Sequence, residues 1–244
     1  MPSVALEPKR GLRRRSDAAE LMDTDCVDFE DYRRCLSDLT RVNVVTMTHR
    51  PMLAWLARET EGLAWFSLLD VGCGHGDLLR RIRRWAERRG IEARLVGLDL
   101  NPWAGRAARE ATPAAAQIEY VTGDVFSYGP ETPPDFVVSS QFAHHLTDEG
   151  VAAFIRWQEE HAARGWFIGD LHRHWFAYYG FPLLARVAGW HRFVRMDGQV
   201  SIGRAFTVPE WRVLLAAAGL GVADAEVTWH VPFRVCVARR CPRR

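Results

Sequence analysis

The chain is almost devoid of lysine. Of 32 Lys and Arg residues only Lys9 is a lysine, and with abundant Ala, Arg and Gly this bias points to a GC-rich bacterial genome while saying nothing about mechanism. An excess of one charge is also missing. The 30 Asp and Glu residues leave a formal net charge of +2, so no nucleic-acid partner is expected. Basic residues gather at the ends, Lys9 to Arg15 and Arg239 to Arg244, where they read as solvated, flexible termini. No apolar run approaches the roughly 18 residues that span a bilayer. The first residues lack the apolar stretch of a secretory signal. The five cysteines, Cys26, Cys35, Cys73, Cys236 and Cys241, contain no Cys-x-x-Cys pair. That excludes a disulfide framework and a zinc knuckle, and suggests reduced thiols in the cytoplasm.

What the chain does have is a glycine at every second position of one short stretch. Residues 68–77 read Leu-Leu-Asp-Val-Gly-Cys-Gly-His-Gly-Asp, the end of a buried strand, with Leu78, Leu79 and Ile82 continuing at helical spacing. Glycines in such a strand-to-helix turn let the backbone approach a nucleotide-like ligand closely. A dinucleotide site needs Gly-x-Gly-x-x-Gly, yet Gly72, Gly74 and Gly76 give Gly-x-Gly-x-Gly, with Asp77 at the place of the third glycine. No Gly-Lys-Ser/Thr follows, which excludes a P-loop. Asp70, just before the turn, would repel a pyrophosphate but suits an ammonium group. S-adenosylmethionine carries an adenosine, a sulfonium and an amino acid and no phosphate, and it fits this turn best.

Further strands follow at matching intervals. Leu95–Leu100 reads as a second strand whose Asp99 stands where a carboxylate reaches ribose hydroxyls, followed by Asn101-Pro102 as a helix start. Tyr120–Phe126 reads as a third strand, with Asp124 placed to accept from an adenine amino group and the Val125 amide to meet the ring. Asp135–Ser140 is a fourth buried strand.

Together Asp70–Gly76, Gly97–Leu100, Gly123–Phe126 and Asp135–Leu146 resemble the class I S-adenosylmethionine-dependent methyltransferases, in particular the small-molecule branch similar to ubiquinone and menaquinone methyltransferases. Each piece is weak alone; four in order are specific. The resemblance implies a Rossmann-like, doubly wound, mostly parallel seven-stranded sheet with a C-terminal antiparallel hairpin. It implies S-adenosylmethionine bound by Asp70, Gly72, Cys73, Gly74, Gly76, Asp99, Leu100, Asp124, Val125, Ser140, Gln141 and His145. It also implies small-molecule methylation, of the kind found in secondary metabolism.

The domain plan is then a flexible basic segment, 1–24, N-terminal helices over the active site, 25–64, and the methyltransferase domain, 65–244. Within 28–60, Phe29, Tyr32, Cys35, Leu36, Leu39 and Val42, then Met52, Leu53, Trp55 and Leu56, predict two helices broken near Pro51. Thr147 is a plausible N-cap for the helix before strand Trp166–Leu171. Thr207-Val-Pro-Glu210 matches a capping box, with Gly219 ending that helix. Val222–Trp229 and Phe233–Ala238 close the sheet around Val231-Pro232.

Between them lies an insertion, 172–206, rich in aromatic residues. Part of it should be core. Gly180, Pro182 and Gly189 argue against one long membrane-surface helix, and the expected role is a lid that stacks a flat acceptor against Trp175, Phe176 or Tyr179. The acceptor is expected to be a hydrophobic, aromatic or polyketide-like molecule methylated at a hydroxyl. Carbon methylation of an activated ring is the alternative, and a cofactor-binding protein without turnover a third. A hydroxyl acceptor benefits from a base. Candidates at the ends of the fourth and fifth strands are His144, His172 and Asp170 as catalytic residues, with His145 and His174 nearby. Asp170 could instead orient His172 or pair with Arg173, and His49-Arg50 could reach the cofactor carboxylate. His172-x-His174 could place two imidazoles on one face, but nothing completes the set and no metal is expected.

Overall fold

A computed structural model describes residues 12–24 and 28–241; Lys9, Cys26, Arg243 and Arg244 lie outside them. Seven strands, β1 Trp65–Val71, β2 Glu92–Asp99, β3 Ile118–Thr122, β4 Phe136–Ser140, β5 Gly165–Leu171, β6 Glu226–His230 and β7 Arg234–Arg240, form one sheet in the order β3-β2-β1-β4-β5-β7-β6. Strands β1 to β5 run parallel, and β7 is antiparallel to β5 and β6. This is the doubly wound sheet with a closing antiparallel hairpin that the sequence implied.

The strands are apolar on both faces, and alternate residues go to opposite sides. From β1, Leu69 and Val71 join Val137, Trp166, Ile168, Val235 and Val237 beneath α6 (Asp148–His161) and α9 (Val208–Ala217). Phe66 and Leu68 face the other way, with Phe136, Val138 and Phe167, against α3 (Arg50–Glu59) and α4 (Asp77–Glu87). Strand order reverses between β1 and β4, and the crevice outside their carboxyl ends is where doubly wound folds bind ligands.

Local signals account for the helix starts. Asn101 accepts from the Trp103 amide ahead of α5 (Pro102–Ala111), and Thr147 from the Gly150 amide ahead of α6. Glu210 accepts from both the amide and the hydroxyl of Thr207. In the N-terminal region α2 spans Phe29–Val45, and Pro51 sits in the first turn of α3 instead of in the break before it.

Three expectations need correction. Strand β3 ends at Thr122, so Asp124 and Val125 lie in the loop beyond it. The insertion is two helices, α7 (Trp175–Val187) and α8 (Arg192–Arg204). Pro182 lies inside α7 and cannot donate to the Tyr178 carbonyl one turn back, but the Gln199 side chain of α8 donates to that carbonyl at 3.2 Å, so the helix continues. Finally, residues 12–24 pack as part of the fold. Arg15 donates to the carbonyls of Arg204 and Leu146 and to Asp148, stacking on Phe206, while Glu20 is buried just before the short α1 (Leu21–Thr24).

Candidate active site

The glycine turn leaves β1 through Gly72, Gly74 and Gly76, all at positive φ (71°, 49° and 71°). A Cβ at Gly72 would stand 2.7 Å from the Phe142 ring, so both the backbone and the space exclude other residues there. The turn forms one wall of a cavity of about 700 Å³. Asp70, Gly72, Cys73, Gly74, Asp99, Leu100, Asp124, Val125, Ser140, Gln141 and His145 all line it, as does His144. Gly76 does not. Instead it caps α4 against the Tyr120 hydroxyl, so it shapes the turn without offering the ligand a surface.

Two buried polar atoms on this wall have no hydrogen-bond partner. One is Oδ1 of Asp70, the other Nδ1 of the equally buried His49. Burial, reinforced by Asp77 and Asp99, pushes the Asp70 carboxyl well above the usual carboxylate range. Burial holds His49 below the ordinary imidazole range, hence neutral, although Asp77 opposes this. Orphaned buried groups are costly unless something completes them. An ammonium and a carboxylate, the two ends of an amino acid, suit Asp70 and His49 respectively. Asp99 stands across the turn on the cavity wall, accepting from the amides of Gly74 at 2.8 Å and Asn101 at 2.9 Å. Arg50, beside His49, is exposed.

The opposite wall carries the titrating groups. Asp170, at the end of β5, is fully buried and accepts from the His144 amide at 2.9 Å and from His144 Nδ1 at 2.7 Å. This pair fixes the His144 tautomer and turns Nε2 toward Glu20 Oε1, 3.6 Å away. Burial alone would lower the His144 pKa; the Asp170 carboxylate and Glu20 override it and hold it at about 9. Burial would likewise raise Glu20, but His144, with help from His145 and the Ser201 hydroxyl, brings it to about 2. The ligand atoms of Glu20, His144 and His145 all lie within 4.8 Å of one another. Such a cluster could close on a cation, yet a protonated His144 neutralises it without one.

His172 is not brought into this group. Its Nδ1 accepts from the Trp229 indole at 3.2 Å, its side chain is absent from the cavity wall, and burial lowers its pKa. Asp170 is buried near the end of β5, whereas His172 lies just past the strand and is half-buried. His174 accepts from the Phe176 amide. Arg173 binds Glu210 and the Ala205 carbonyl, leaving Asp170 to His144. Trp175, Phe176 and Tyr179 are exposed and absent from the cavity wall. The insertion covers the site through Ser201 of α8.

Sequence reasoning missed the N-terminal contributors. Glu20 and Met22 line the cavity, as do Leu36, Leu39, Thr40 and Asn43 of α2. It also missed Arg234 of β7, which is buried and donates to Gln141 Oε1, Thr46 and Thr48. Gln141 in turn donates to Asn43 Oδ1, and Asn43 donates to Asp77. This chain of hydrogen bonds ties α2 to the sheet, and it holds Gln141 at an unusual φ of 56°. The one signal was an arginine directly ahead of the apolar run Val235–Ala238.

Residues 68–164 match the family described as methyltransferase domain. The chain carries a methyltransferase domain. Solved structures share its fold across most of its length. The magnesium protoporphyrin IX methyltransferase of Synechocystis, with bound S-adenosylhomocysteine, is 18% identical with a TM-score of 0.58, covering 88% of this chain and 94% of that one. Human N-acetylserotonin methyltransferase in complex with S-adenosylmethionine is 16% identical with a TM-score of 0.60, covering 88% and 56%. The CurJ carbon methyltransferase is 13% identical with a TM-score of 0.62, covering 86% and 59%. No curated protein matches the sequence significantly. Among the described residues no helix is long and apolar enough to cross a membrane.

Proposed function

We propose that this methyltransferase methylates a hydroxyl oxygen, most simply a phenolic one, on a hydrophobic small molecule of bacterial secondary metabolism, in the cytoplasm. The observation that carries this reading is the Asp170–His144 pair on the cavity wall facing Glu20. S-adenosylmethionine supplies a methyl group on a sulfonium, already activated for displacement, so alignment carries much of the rate. The chain's part is to hold the ligand's amino-acid end between Asp70 and His49 and its ribose at Asp99, with Asp124 and Val125 placed for the adenine. Gly72, Cys73, Gly74, Leu100, Ser140, Gln141 and His145 complete that wall. His144 Nε2 takes the acceptor proton, while Asp170 positions the ring and stabilises its charge. A base held at about 9 is well matched to a phenol, whose pKa is about 10 in tyrosine.

The sign of the pH dependence follows. The base works only when deprotonated, so at neutral pH most His144 is in the inactive imidazolium form. The kcat/KM should rise about tenfold per pH unit from pH 6, levelling near pH 9, and the His144→Gln variant should lack that limb. A profile flat from pH 6 to 9 would sink the base and favour the carbon-methylation alternative, which needs no strong base.

A further inference from the structure

We propose that helix α7 and the β6–β7 turn form a surface that docks on an anionic lipid bilayer. Five side chains of α7, Trp175, Phe176, Tyr179, Leu183 and Val187, are 55–80% exposed. At about 100° per residue they fall within an arc of about 120° on one side of the helix. The opposite side is the structural one: Ala185 joins Trp190, Phe193 and Val194 in a small core against Cys35 and Val42 of α2. The insertion thus divides its apolar residues, one set buried and one facing outward.

The outward set continues beyond the helix. Trp175 meets Phe176, whose ring stacks on Phe233 at 5.7 Å, and Phe233 contacts Trp229 at 6.3 Å. Trp229 and Val231 are themselves 47% and 67% exposed. An aromatic ridge therefore runs from the first turn of α7 to the β6–β7 turn. Scattered exposed apolar residues need no explanation, but a contiguous patch marks an interaction site.

Charge identifies the partner. Between residues 172 and 206 the only acidic residue is Asp197, and it is buried, accepting from the Leu21 and Met22 amides. The exposed charges of α7 and α8 are Arg186, Arg192 and Arg195; Arg192 lies 3.6 Å from Asp31 of α2, and Arg204 is turned inward onto the His144 and His145 carbonyls. Arg186 falls within the apolar arc itself. Exposed aromatic and aliphatic side chains beside Arg186 and Arg195, with no exposed carboxylate on α7 or α8, are complementary to the headgroup boundary of an anionic leaflet, where rings sit at the interface and each nearby cation adds attraction. Self-association would set the arginines of two copies against each other with no acid between them. The proposal rests on exposure and charge, independent of the acceptor atom; a hydrophobic acceptor would concentrate at the same surface.

Flotation with vesicles tests it. Wild-type protein should float with phosphatidylglycerol-containing vesicles, weakly with pure phosphatidylcholine, and less as salt is raised. The Trp175→Glu/Tyr179→Glu variant should lose roughly tenfold or more of the bound fraction, and Arg186→Glu/Arg195→Glu should lose the dependence on phosphatidylglycerol. Both variants should bind S-adenosylhomocysteine like the wild type, which establishes that they are folded. Absence of flotation, or equal flotation of wild type and both variants, overturns the proposal. So does sedimentation showing a dimer that the Trp175→Glu/Tyr179→Glu variant dissociates, because the face would then be covered by a second copy.

Discussion

Replacing His144 should lower kcat by roughly 10²- to 10⁴-fold, the range for loss of a positioned general base, while leaving affinity for S-adenosylmethionine nearly unchanged. The alanine variant is a poor test by itself. His144 is buried between Asp170 and Glu20, and removing it leaves two carboxylates without their countercharge, a loss of about 3–5 kcal/mol for broken buried pairs. His144→Gln keeps a donor toward Asp170 without a titrating ring, though not the positive charge, so unchanged S-adenosylhomocysteine binding by this variant is the control that separates chemistry from folding. The same cluster sets a pH window for stability. Raising the His144 pKa from 6.5 to about 9 contributes stability that is complete below 6.5 and lost as pH climbs through 9. Lowering Glu20 from 4.5 to about 2 contributes stability present above 4.5 and lost on acidification toward 2. The N-terminal segment carrying Glu20 is therefore held most firmly between about pH 4.5 and 6.5, and steady-state assays at pH 9 gain reactive base while weakening that closure.

The second large effect concerns the cofactor. Asp99→Ala should weaken S-adenosylhomocysteine binding by on the order of 2–3 kcal/mol, about 30- to 150-fold, through loss of charge-assisted hydrogen bonds. It also frees the Gly74 and Asn101 amides that Asp99 now holds, so the glycine turn should loosen. Asp70→Asn separates binding from folding more cleanly. Burial favours the neutral form of the Asp70 carboxyl, so the neutral amide should fold with little change in melting temperature. Binding of the ammonium end should ionise Asp70 and release a proton. Calorimetry of the wild type in two buffers of different ionisation enthalpy should reveal that proton, and Asp70→Asn should lose both it and a tenfold or greater share of affinity. Affinity of the wild type should accordingly rise with pH. Equal affinity of Asp70→Asn and wild type would remove Asp70 from the site.

The cofactor half of the site was legible in the sequence because its information is local. The Asp70–Gly76 turn, Asp99 at the end of β2 and Asp124 past β3 each follow from a strand ending where a polar residue begins. The acceptor half was not. Glu20 meets His144 across more than a hundred residues, and Arg234 meets Gln141 and Thr48 at similar remove; no periodicity encodes such contacts. His144 and His172 were equivalent as sequence, each just past a strand, and only the inward direction of Asp170 separates them. Gly180 and Pro182 read as helix breakers because the replacement donor, Gln199, lies in another helix. Residue type argued that part of the insertion would be core and that Trp175, Phe176 or Tyr179 would stack an acceptor. Whether a Trp faces core or water depends instead on which side of α7 meets α8 and α2, and that is a property of packing.

The central claim, methyl transfer to oxygen beside His144, is tested most directly by following the methyl carbon itself. The protein would be incubated at pH 8–9 with S-adenosylmethionine labelled at the methyl carbon and a panel of phenols, quinols and polyketide-like phenols dispersed in vesicles. Carbon NMR of the extracted products would then show where the label resides. The account predicts a labelled methoxy carbon, formed by wild type and reduced at least a hundredfold in His144→Gln. A label attached to ring carbon, or methoxy product formed equally by the variant, would contradict it.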